Sequence, residues 1–427
     1  FLYARKYGGV FILRIEDTDR QRSKREYEES ILEGLRWLGI TYDETCRQSE
    51  RTDIYRKYLK KLIDTDKAYL SKEPAIEGKR GEVIRLRNSG SIMTFYDEIR
   101  GEITFDTKEL GDFVIAKSID EPLYHLAVVV DDILMGVTHV IRGEDHISNT
   151  PRQMLIALAL GIEHPIYAHL PLILAPDRSK LSKRHGAVSV TEYYEMGYLS
   201  EAVVNFLALL GWSPQGKDMK EGEEQEIFLL PELIKKFELG KIGKSGAIFN
   251  IEKLNWINRE HLKRLPEEKL IEHIGDTIPP RIHSLPEWSD ARLRKIIPIL
   301  VERIVKYSDV SEMGNNGELD FFFKIPEFKA KELVWKKDIG GKAIKASING
   351  LINAIESVPA LSFNKEGVKG AVMDFIGQND RGSILWPMRY ALSGLSKSPD
   401  PFTIASVIGK DSTLGRLKIA QKKLGEI

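Results

Sequence analysis

The stretch Pro176–Gly186 carries side chains suited to phosphate chemistry, because it brings Lys180, Ser182 and Lys183 together in one loop. The loop follows an apolar run, His169–Ala175, which predicts a buried strand. No glycine-rich Walker sequence precedes it, so it is not a P-loop. Ammonium groups in such a loop can stabilise the charge that develops on a nucleoside triphosphate while pyrophosphate leaves. The alternative is a solvated basic loop with no catalytic role.

Three carboxylates, those of Glu16, Asp17 and Asp19, directly follow the predicted strand Val10–Ile15. Because α/β sheets bind their ligands at the carboxyl ends of the strands, this position favours a binding role. Metal binding is one interpretation of the cluster. Capping of the next predicted helix, Ser23–Leu38, is the structural alternative, above all for Asp19.

Arg142 has a similar position, since it follows the predicted strand Gly136–Ile141. Two strand ends with opposite charges would suit a free amino acid. Its ammonium group would bind the carboxylate of Glu16, and its carboxylate would receive the planar guanidinium of Arg142. The structural alternative is an ion pair within the chain, formed by Arg142 with Asp145 or Asp132.

Strands that alternate with helices must position these groups. Buried strands are predicted by apolar, β-branched runs at Val10–Ile15, Asp112–Lys117, Leu123–Val130, Gly136–Ile141 and His169–Ala175. Helical patterns lie between them, at Ser23–Leu38, Asp53–Thr65 and Asn149–Leu160. This alternation indicates a parallel sheet that is covered on both faces. Short antiparallel strands are predicted between Tyr69 and Gly111, and the pattern is helical with short loops from residue 266 onwards.

Composition limits the possible functions of the chain. With 427 residues it exceeds the usual size of one hydrophobic core, so we expect several domains. Lys and Arg together number 63, as do Asp and Glu, so any nucleic-acid binding must come from local patches. Cys46 is the single cysteine, which excludes internal disulfides and multi-cysteine zinc sites. With no apolar run of membrane-spanning length and no signal peptide, the sequence predicts a cytoplasmic protein with no membrane partner.

The two strongest motifs resemble those of one family. Lys180-Leu-Ser-Lys183-Arg184 is similar to the Lys-Met-Ser-Lys-Ser signature of class I aminoacyl-tRNA synthetases, in the form common in bacterial glutamyl-tRNA synthetases. Arg14-Ile-Glu-Asp-Thr-Asp19 matches the glutamyl and glutaminyl enzymes almost letter for letter. A helical C-terminal half also resembles the bacterial glutamyl type, since the glutaminyl and eukaryotic cytosolic glutamyl enzymes have β-barrels there.

The resemblance implies an ATP-dependent ligase that joins L-glutamate to tRNA. It implies an α/β, Rossmann-like catalytic domain formed by residues 1–69 and 112–190, split at 70–111 by a small α+β insertion that binds the acceptor stem. A stem-contact domain at 191–265 and an all-α anticodon-binding domain at 266–427 complete the expected organisation.

The resemblance also assigns roles to residues at matching positions. Those expected to act in catalysis are Lys180, Ser182 and Lys183, and those expected at ATP are Lys183, Arg184, Asp145 and His146. Those expected at glutamate are Glu16, Tyr124 and Arg142. Those expected to contact tRNA are Arg85, Arg87, Lys241 and Lys244. The expected partners are tRNA-Glu, L-glutamate and ATP with Mg²⁺. Some relatives hold zinc in the insertion through cysteines, which this insertion lacks, so we expect no zinc, and we expect a monomer.

One departure from the family concerns the N-terminus. The chain opens at Phe1 without a methionine, and the family's His-Ile-Gly-His signature and first strand are absent. We therefore expect an N-terminally truncated chain. The alternatives are a catalytically inactive tRNA-binding relative, a synthetase-like enzyme that modifies a tRNA base, and a glutaminyl-tRNA synthetase. The intact Glu16 and Lys180-Leu-Ser-Lys183 argue against the first, and the helical C-terminal half argues against the other two.

Replacing Lys183 by alanine tests the role of the loop. If its ammonium group stabilises the departing pyrophosphate, Lys183→Ala should slow glutamate activation by about two orders of magnitude, the usual effect of removing one preorganised charge donor. Glutamate affinity should change little. The measurement is ATP–pyrophosphate exchange by the tRNA-bound, full-length enzyme. An unaltered exchange rate would show that the loop is solvated and has no catalytic role.

Overall fold

The computed structural model describes residues 1–19, 23–73, 81–182, 184, 189–214, 225–335 and 341–425. These residues form two compact units, Phe1–Ile257 and Asn258–Ile427. The fold prediction is confirmed: the first unit is mixed α/β with parallel strand pairs, and the second is helical. Within the described residues no helix combines the length and the apolar character needed to cross a bilayer.

The first part of the chain contains both strands and helices. Its strands are β1 (Ile12–Ile15), β2 (Glu44–Arg47), β3 (Ala68–Lys72), β4 (Glu82–Leu86), β5 (Ile92–Asp97), β6 (Gly101–Asp106), β7 (Phe113–Ser118), β8 (Glu121–Pro122), β9 (His139–Gly143), β10 (Ile166–Leu170), β11 (Ile173–Leu174) and β12 (Ala247–Ile248). Its helices are α1 (Leu2–Lys6), α2 (Arg25–Trp37), α3 (Thr52–Asp64), α4 (Tyr124–Leu134), α5 (Thr150–Leu160), α6 (Val190–Glu195), α7 (Ser200–Leu209), α8 (Leu230–Lys236) and α9 (Ile251–Leu262).

Parallel pairing dominates where the candidate site lies. β1 pairs with β2 in parallel, and β10 lies between β9 and β5, parallel to both. The hairpin of β5 and β6 extends this second sheet, whose order is β6-β5-β10-β9. The carboxyl ends of β5, β10 and β9 therefore lie side by side. A separate antiparallel sheet has the order β3-β4-β7-β8. The expectation that Asp112–Lys117 belongs to the parallel sheet was therefore wrong, because β7 pairs antiparallel with β4 and β8.

A hydrophobic core fixes the helices against the antiparallel sheet. α3 is amphipathic, and its buried side chains Tyr55, Leu59 and Leu62 follow the four- and three-residue spacing of one helix face. They belong to one cluster with Ile115 of β7 and Ile156 of α5. Because β3 and α3 share this core, the antiparallel strands are anchored to the helices of the first unit.

The prediction of a strand at Leu123–Val130 was wrong, because the structure has the helix α4 there. The run Leu126–Val130 is buried without interruption, and periodicity cannot separate a buried strand from a buried helix when both faces are covered. The β-branched valines favoured a strand, but the segment packs against α3 and α5 as a helix, and this packing outweighs the strand propensity. The helix also buries Asp131, whose carboxylate accepts hydrogen bonds from the Tyr55 hydroxyl (2.7 Å) and Arg51 Nε (2.8 Å).

The predicted strand His169–Ala175 is divided in two by Pro171. β10 ends at Leu170 and β11 begins at Ile173, since proline has no N–H for a strand ladder. The backbone N–H of Leu172, between them, donates to Glu144 Oε1 at 2.9 Å. The chain therefore changes sheets before it enters the basic loop.

The second unit consists of helices and short 3₁₀ turns. Its helices are α10 (Glu267–Thr277), α11 (Pro280–His283), α12 (Asp290–Arg303), α13 (Ser308–Asn315), α14 (Gly341–Ser357), α15 (Lys365–Ile376), α16 (Arg381–Ser393), α17 (Pro401–Ile408) and α18 (Lys410–Leu424). α14 packs against α15, α16 and α18, and α17 packs against α15, α16 and α18.

Arg416 of α18 is a buried cation that ties these helices together. Only 1% of it is exposed, and Nη1 donates to the carbonyls of Phe321 and Leu392, both at 2.7 Å. Nη2 donates to the carbonyl of Lys324 at 3.0 Å. Burial lowers the pKa of Arg416 to about 10.

Replacing Arg416 by methionine should lower the free energy of unfolding by about 2 to 4 kcal/mol, because two buried carbonyls and one partly buried carbonyl lose their donor while the side-chain volume is kept. Denaturant unfolding measures the change. Lys418→Ala is the control on the same helix, since Lys418 is 56% exposed and pairs with Glu356 at 3.2 Å. An exposed pair of this kind contributes about 1 kcal/mol or less. Equal losses in the two variants would contradict the role given to Arg416.

Candidate functional site

The ends of three adjacent parallel strands hold the centre of the site. Asp97 is the last residue of β5, and His169 and Arg142 are the penultimate residues of β10 and β9. His169 and Arg142 are direct partners in the ladder. Ligands bind at this edge of parallel sheets, as the sequence predicted for Arg142.

Neutral groups hold the guanidinium of Arg142. Nε donates to His169 Nε2 (3.1 Å), Nη1 to Gln153 Oε1 (2.8 Å) and Nη2 to Thr150 Oγ1 (2.8 Å). Nη2 also lies 3.4 Å from the carbonyl oxygen of His146. These contacts fix the orientation of the group without cancelling its charge.

The alternative of an Arg–Asp ion pair is not realised in the described residues. Asp132 pairs with Arg14 at 2.8 Å, and Asp145 pairs with Lys180 at 3.1 Å. No carboxylate of the described chain lies within ion-pair distance of Arg142. Its positive charge is therefore available to an anionic ligand.

Glu16 follows β1, at the end of the other parallel pair. Its Oε1 accepts from Arg14 Nη2 at 3.0 Å, and its side chain is 35% exposed. It lines an open pocket with Arg14, Tyr27 and Arg47. A carboxylate that is held by one arginine and open to solvent on the other side can receive a cation.

The two neighbouring carboxylates have structural surroundings. Asp17 accepts from the backbone N–H and the hydroxyl of Ser49 (2.9 and 2.7 Å) and from Arg47 (3.0 Å). The N-cap residue of α2 is Lys24, not Asp19, and Lys24 makes no side-chain capping bond.

Tyr124 responds to the charges of both Glu16 and Arg142. It is the first residue of α4, and burial raises the pKa of its hydroxyl. The charge of Glu16 raises this pKa further, whereas Arg142 acts in the opposite direction. Tyr124 therefore lies within electrostatic range of both Glu16 and Arg142.

The basic loop leaves β11 through a tight turn. The backbone N–H of Ala175 donates to the carbonyl of Ser179 at 2.8 Å, and Arg178 has a φ of 66°, in the left-handed region. The Ser179 hydroxyl donates to Asp177 Oδ1 at 2.6 Å. The turn directs Lys180 towards Asp145, and this ion pair lowers the pKa of the Asp145 carboxyl.

Other predicted nucleotide residues are only partly described. Lys183 and residues 185–188 lie outside the described residues, whereas Ser182 and Arg184 are within them. His146 follows β9, and its Nδ1 lies 3.0 Å from Asn149 Nδ2. The roles of these residues at ATP stay predictions.

The side chains predicted to contact tRNA all have partners within the protein. Arg85 donates to Glu73 at 2.9 Å, and Arg87 donates to Asp66 at 3.1 Å. Lys241 Nζ donates to the carbonyl of Pro214, and Lys244 Nζ donates to that of Arg100, both at 3.1 Å. The RNA contacts of these four residues stay predictions.

Metal coordination finds no support in the described ranges, which contain no group of three or more His, Cys, Asp or Glu side chains able to hold an ion. The expectation of no zinc stays a prediction. A magnesium ion that accompanies ATP would be held chiefly by the phosphates themselves.

Sequence patterns missed four residues around Arg142, namely Asp97, His169, Gln153 and Thr150. All four are buried polar side chains, 0–3% exposed. Gln153 and Thr150 lie on α5, within an apolar pattern. The one signal in the sequence was that polar residues stand at positions where the strand and helix patterns predict burial. That signal does not show which residues contact one another.

His125 is a further titratable group beside the site. Its ring lies next to that of Tyr124, with 5.2 Å between centroids. Burial lowers the pKa of His125 to about 4, and Arg152, Arg142 and His146 act in the same direction. The imidazole is therefore neutral at physiological pH.

Two family models match the chain. The model described as "tRNA synthetases class I (E and Q), catalytic domain" matches residues 1–82 and 73–256. The model described as "Anticodon binding domain" matches residues 267–421.

Relatives and solved structures extend the similarity to nearly the whole chain. The glutamate–tRNA ligase of Desulforamulus reducens is 38% identical over 476 residues, covering 99% of this chain and 95% of the relative. That of Thermodesulfovibrio yellowstonii is 37% identical, covering 98% and 93%. The crystal structure of a glutamate tRNA ligase from Elizabethkingia meningosepticum in complex with its amino acid is similar with a TM-score of 0.83 and 32% identity, covering 99% and 95%.

The neutral state of His125 predicts a pH dependence of stability. Its folded pKa lies below the ordinary value of about 6.5, so the unfolded chain binds the proton more readily. The associated stability is fully present above pH ~6.5 and is lost as the pH falls towards about 4. Between pH 7 and 5 the wild-type protein should lose about 1 to 2 kcal/mol more than His125→Leu, which cannot take up this proton. Denaturant unfolding at both pH values tests this. Equal losses of unfolding free energy in the two proteins would show that folding does not lower the pKa of His125.

Proposed function

Because this chain belongs to the class I tRNA synthetases of the E and Q type, we propose that it is a glutamate–tRNA ligase. The observation that carries the proposal is the similarity to a glutamate–tRNA ligase over 99% of this chain and 95% of the relative. Glutamate first reacts with ATP to give glutamyl-adenylate and pyrophosphate. The glutamyl group then passes to the 2′-hydroxyl of the terminal adenosine of tRNA, and AMP leaves.

The proposed glutamate site consists of Glu16, Tyr124 and Arg142. Glu16 accepts the ammonium group, because its carboxylate is held by Arg14 and open on the other side. Arg142 binds a carboxylate of the substrate, and the absence of a carboxylate partner among the described residues supports this role. Tyr124 supplies a neutral hydroxyl within electrostatic range of both charges. The arrangement selects a ligand that carries both signs of charge.

The proposed ATP site is formed by the basic loop and the segment after β9. Lys180 and Asp145 pair across the two segments, which supports their closeness at the nucleotide. Lys183 and Arg184 would provide positive charge for the phosphates, and Ser182 a hydroxyl. Magnesium would enter with ATP, and no step here depends on a protein ligand for it.

The proposed RNA partner is tRNA-Glu. The match of residues 267–421 to an anticodon-binding domain supports contact with the anticodon region by the second unit. The described part of that unit is helical, which favours the glutamyl over the glutaminyl enzyme. We expect a cytoplasmic monomer with the four domains outlined from the sequence.

Replacing Arg142 by lysine tests the glutamate site. Lysine keeps the charge but has a single nitrogen, so it cannot hold its neutral neighbours and a substrate carboxylate together. Arg142→Lys should therefore weaken glutamate use by roughly 1 to 3 kcal/mol, the scale of a charged hydrogen bond. The measurement is kcat/KM for glutamate in aminoacylation of tRNA-Glu by the full-length enzyme, with the KM for ATP nearly unchanged.

Arg56→Lys is the matched control for this substitution. Arg56 also contacts two side chains, those of Asp53 and Asp120, but it lies on the surface of α3. The control should leave kcat/KM for glutamate unchanged. If Arg142→Lys lowers the melting temperature and leaves kcat/KM intact, Arg142 is structural.

A further inference from the structure

Asp97 and His169 form a buried pair directly behind Arg142. Both side chains are fully buried, and His169 Nδ1 lies 2.6 Å from Asp97 Oδ2. The other ring nitrogen, Nε2, lies 3.1 Å from Arg142 Nε. One continuous series of hydrogen bonds therefore connects the carboxylate of β5 with the guanidinium of β9.

The backbone fixes the carboxylate of Asp97. Its Oδ1 accepts from the N–H of Ile99 (3.0 Å) and of Arg100 (2.8 Å), and its Oδ2 accepts from the N–H of His169 at 3.1 Å. Burial alone would raise the pKa of Asp97, but these bonds and the imidazole outweigh it, so the pKa lies below its ordinary value. Asp97 is therefore an anion that can only accept hydrogen bonds.

An anion at Nδ1 determines which ring nitrogen of His169 carries the proton. Burial lowers the pKa of His169, so the ring is neutral and has one N–H. That hydrogen must lie on Nδ1, because Asp97 can only accept. Nε2 then has a lone pair towards Arg142, which can only donate.

We propose that Asp97 and His169 are positioning residues for Arg142: they hold its guanidinium in the orientation that receives a substrate carboxylate. The inference rests on the proposed function, since it concerns the same glutamate site. Neither residue touches the substrate. Asp97 fixes the ring tautomer, and the ring presents an acceptor to Arg142 Nε, while Gln153 and Thr150 hold the two other nitrogens. A neutral imidazole orients the cation without neutralising it, which an aspartate in direct contact would do.

Two substitutions of His169 separate positioning from packing. In His169→Asn the amide can replace Nδ1 as the donor to Asp97, but the shorter side chain offers no acceptor to Arg142 Nε. In His169→Gln the amide oxygen can replace Nε2 as the acceptor from Arg142, but the bond to Asp97 is lost. The KM for glutamate should rise about tenfold or more in the asparagine variant and stay within about threefold of wild type in the glutamine variant.

Asp97→Asn provides an independent test of the tautomer. The new amide would donate to Nδ1 and transfer the ring proton to Nε2, where it faces the Arg142 N–H. This substitution keeps the shape of the side chain and, at Oδ1, the acceptor for the backbone N–H groups of Ile99 and Arg100. The backbone N–H of His169 loses its bond to Oδ2 but still has Oδ1 at 3.3 Å. The KM for glutamate should again rise about tenfold, with the KM for ATP nearly unchanged.

Asn205→Ala is the matched control, because Asn205 is also fully buried and bonds to the backbone of Phe228 (2.8 Å) and Glu226 (3.0 Å) away from the site. It should lower the melting temperature and leave the KM for glutamate unchanged. All variants are measured in the full-length enzyme by aminoacylation of tRNA-Glu and by thermal unfolding.

The outcomes distinguish the inference from the proposed function. A rise in KM for His169→Asn and Asp97→Asn, but not for His169→Gln, supports positioning. If these variants lower only the melting temperature, as Asn205→Ala does, while Arg142→Lys still weakens glutamate use, the positioning role is refuted and the proposed function stands. A wild-type enzyme that charges no glutamate would overturn both.

Discussion

Parallel pairing between β9 and β10 is the constraint on which the site depends. It makes Arg142 and His169 neighbours in the ladder, and β5 on the other side of β10 adds Asp97. Because side chains alternate between the faces of a strand, a slip of one residue would turn His169 away from both partners. The hydrophobic run of each strand sets the register, so apolar packing determines the polar geometry.

Two arginines of the first unit show how surroundings decide the role of a charge. Arg14 bridges Glu16 and Asp132, so its charge is used within the protein and the pair holds Glu16 at the end of β1. Arg142 has only neutral acceptors among the described residues, and its charge remains for a ligand. An arginine is therefore part of an internal ion pair on β1, whereas an arginine on β9 keeps its charge for a ligand.

Much of this arrangement could be predicted from the sequence. Charged residues at the ends of apolar strands marked Glu16 and Arg142, and the loop motif marked Lys180, because both signals are local. The helix α4 could not be predicted from its pattern, since Leu126–Val130 is apolar on every side. Burial of that kind removes the periodicity that separates helix from strand.

Asp97 and His169 could not be predicted as partners for a different reason. A single aspartate at a hairpin and a single histidine in an apolar strand are each common, and 72 positions separate them. Only the strand order β5-β10-β9 brings them together, and strand order follows from the whole sheet. Local patterns therefore indicated the charged candidates at the strand ends more readily than the buried residues that hold them.

The series Asp97–His169–Arg142 also constrains how this sequence can change over generations. Each member supplies the ionic or tautomeric complement of the next, so losing one leaves the others as buried polar groups with an unmatched donor or acceptor. We therefore expect the three residues to be conserved together or substituted together. Although their codons lie far apart, these three positions should evolve as one unit.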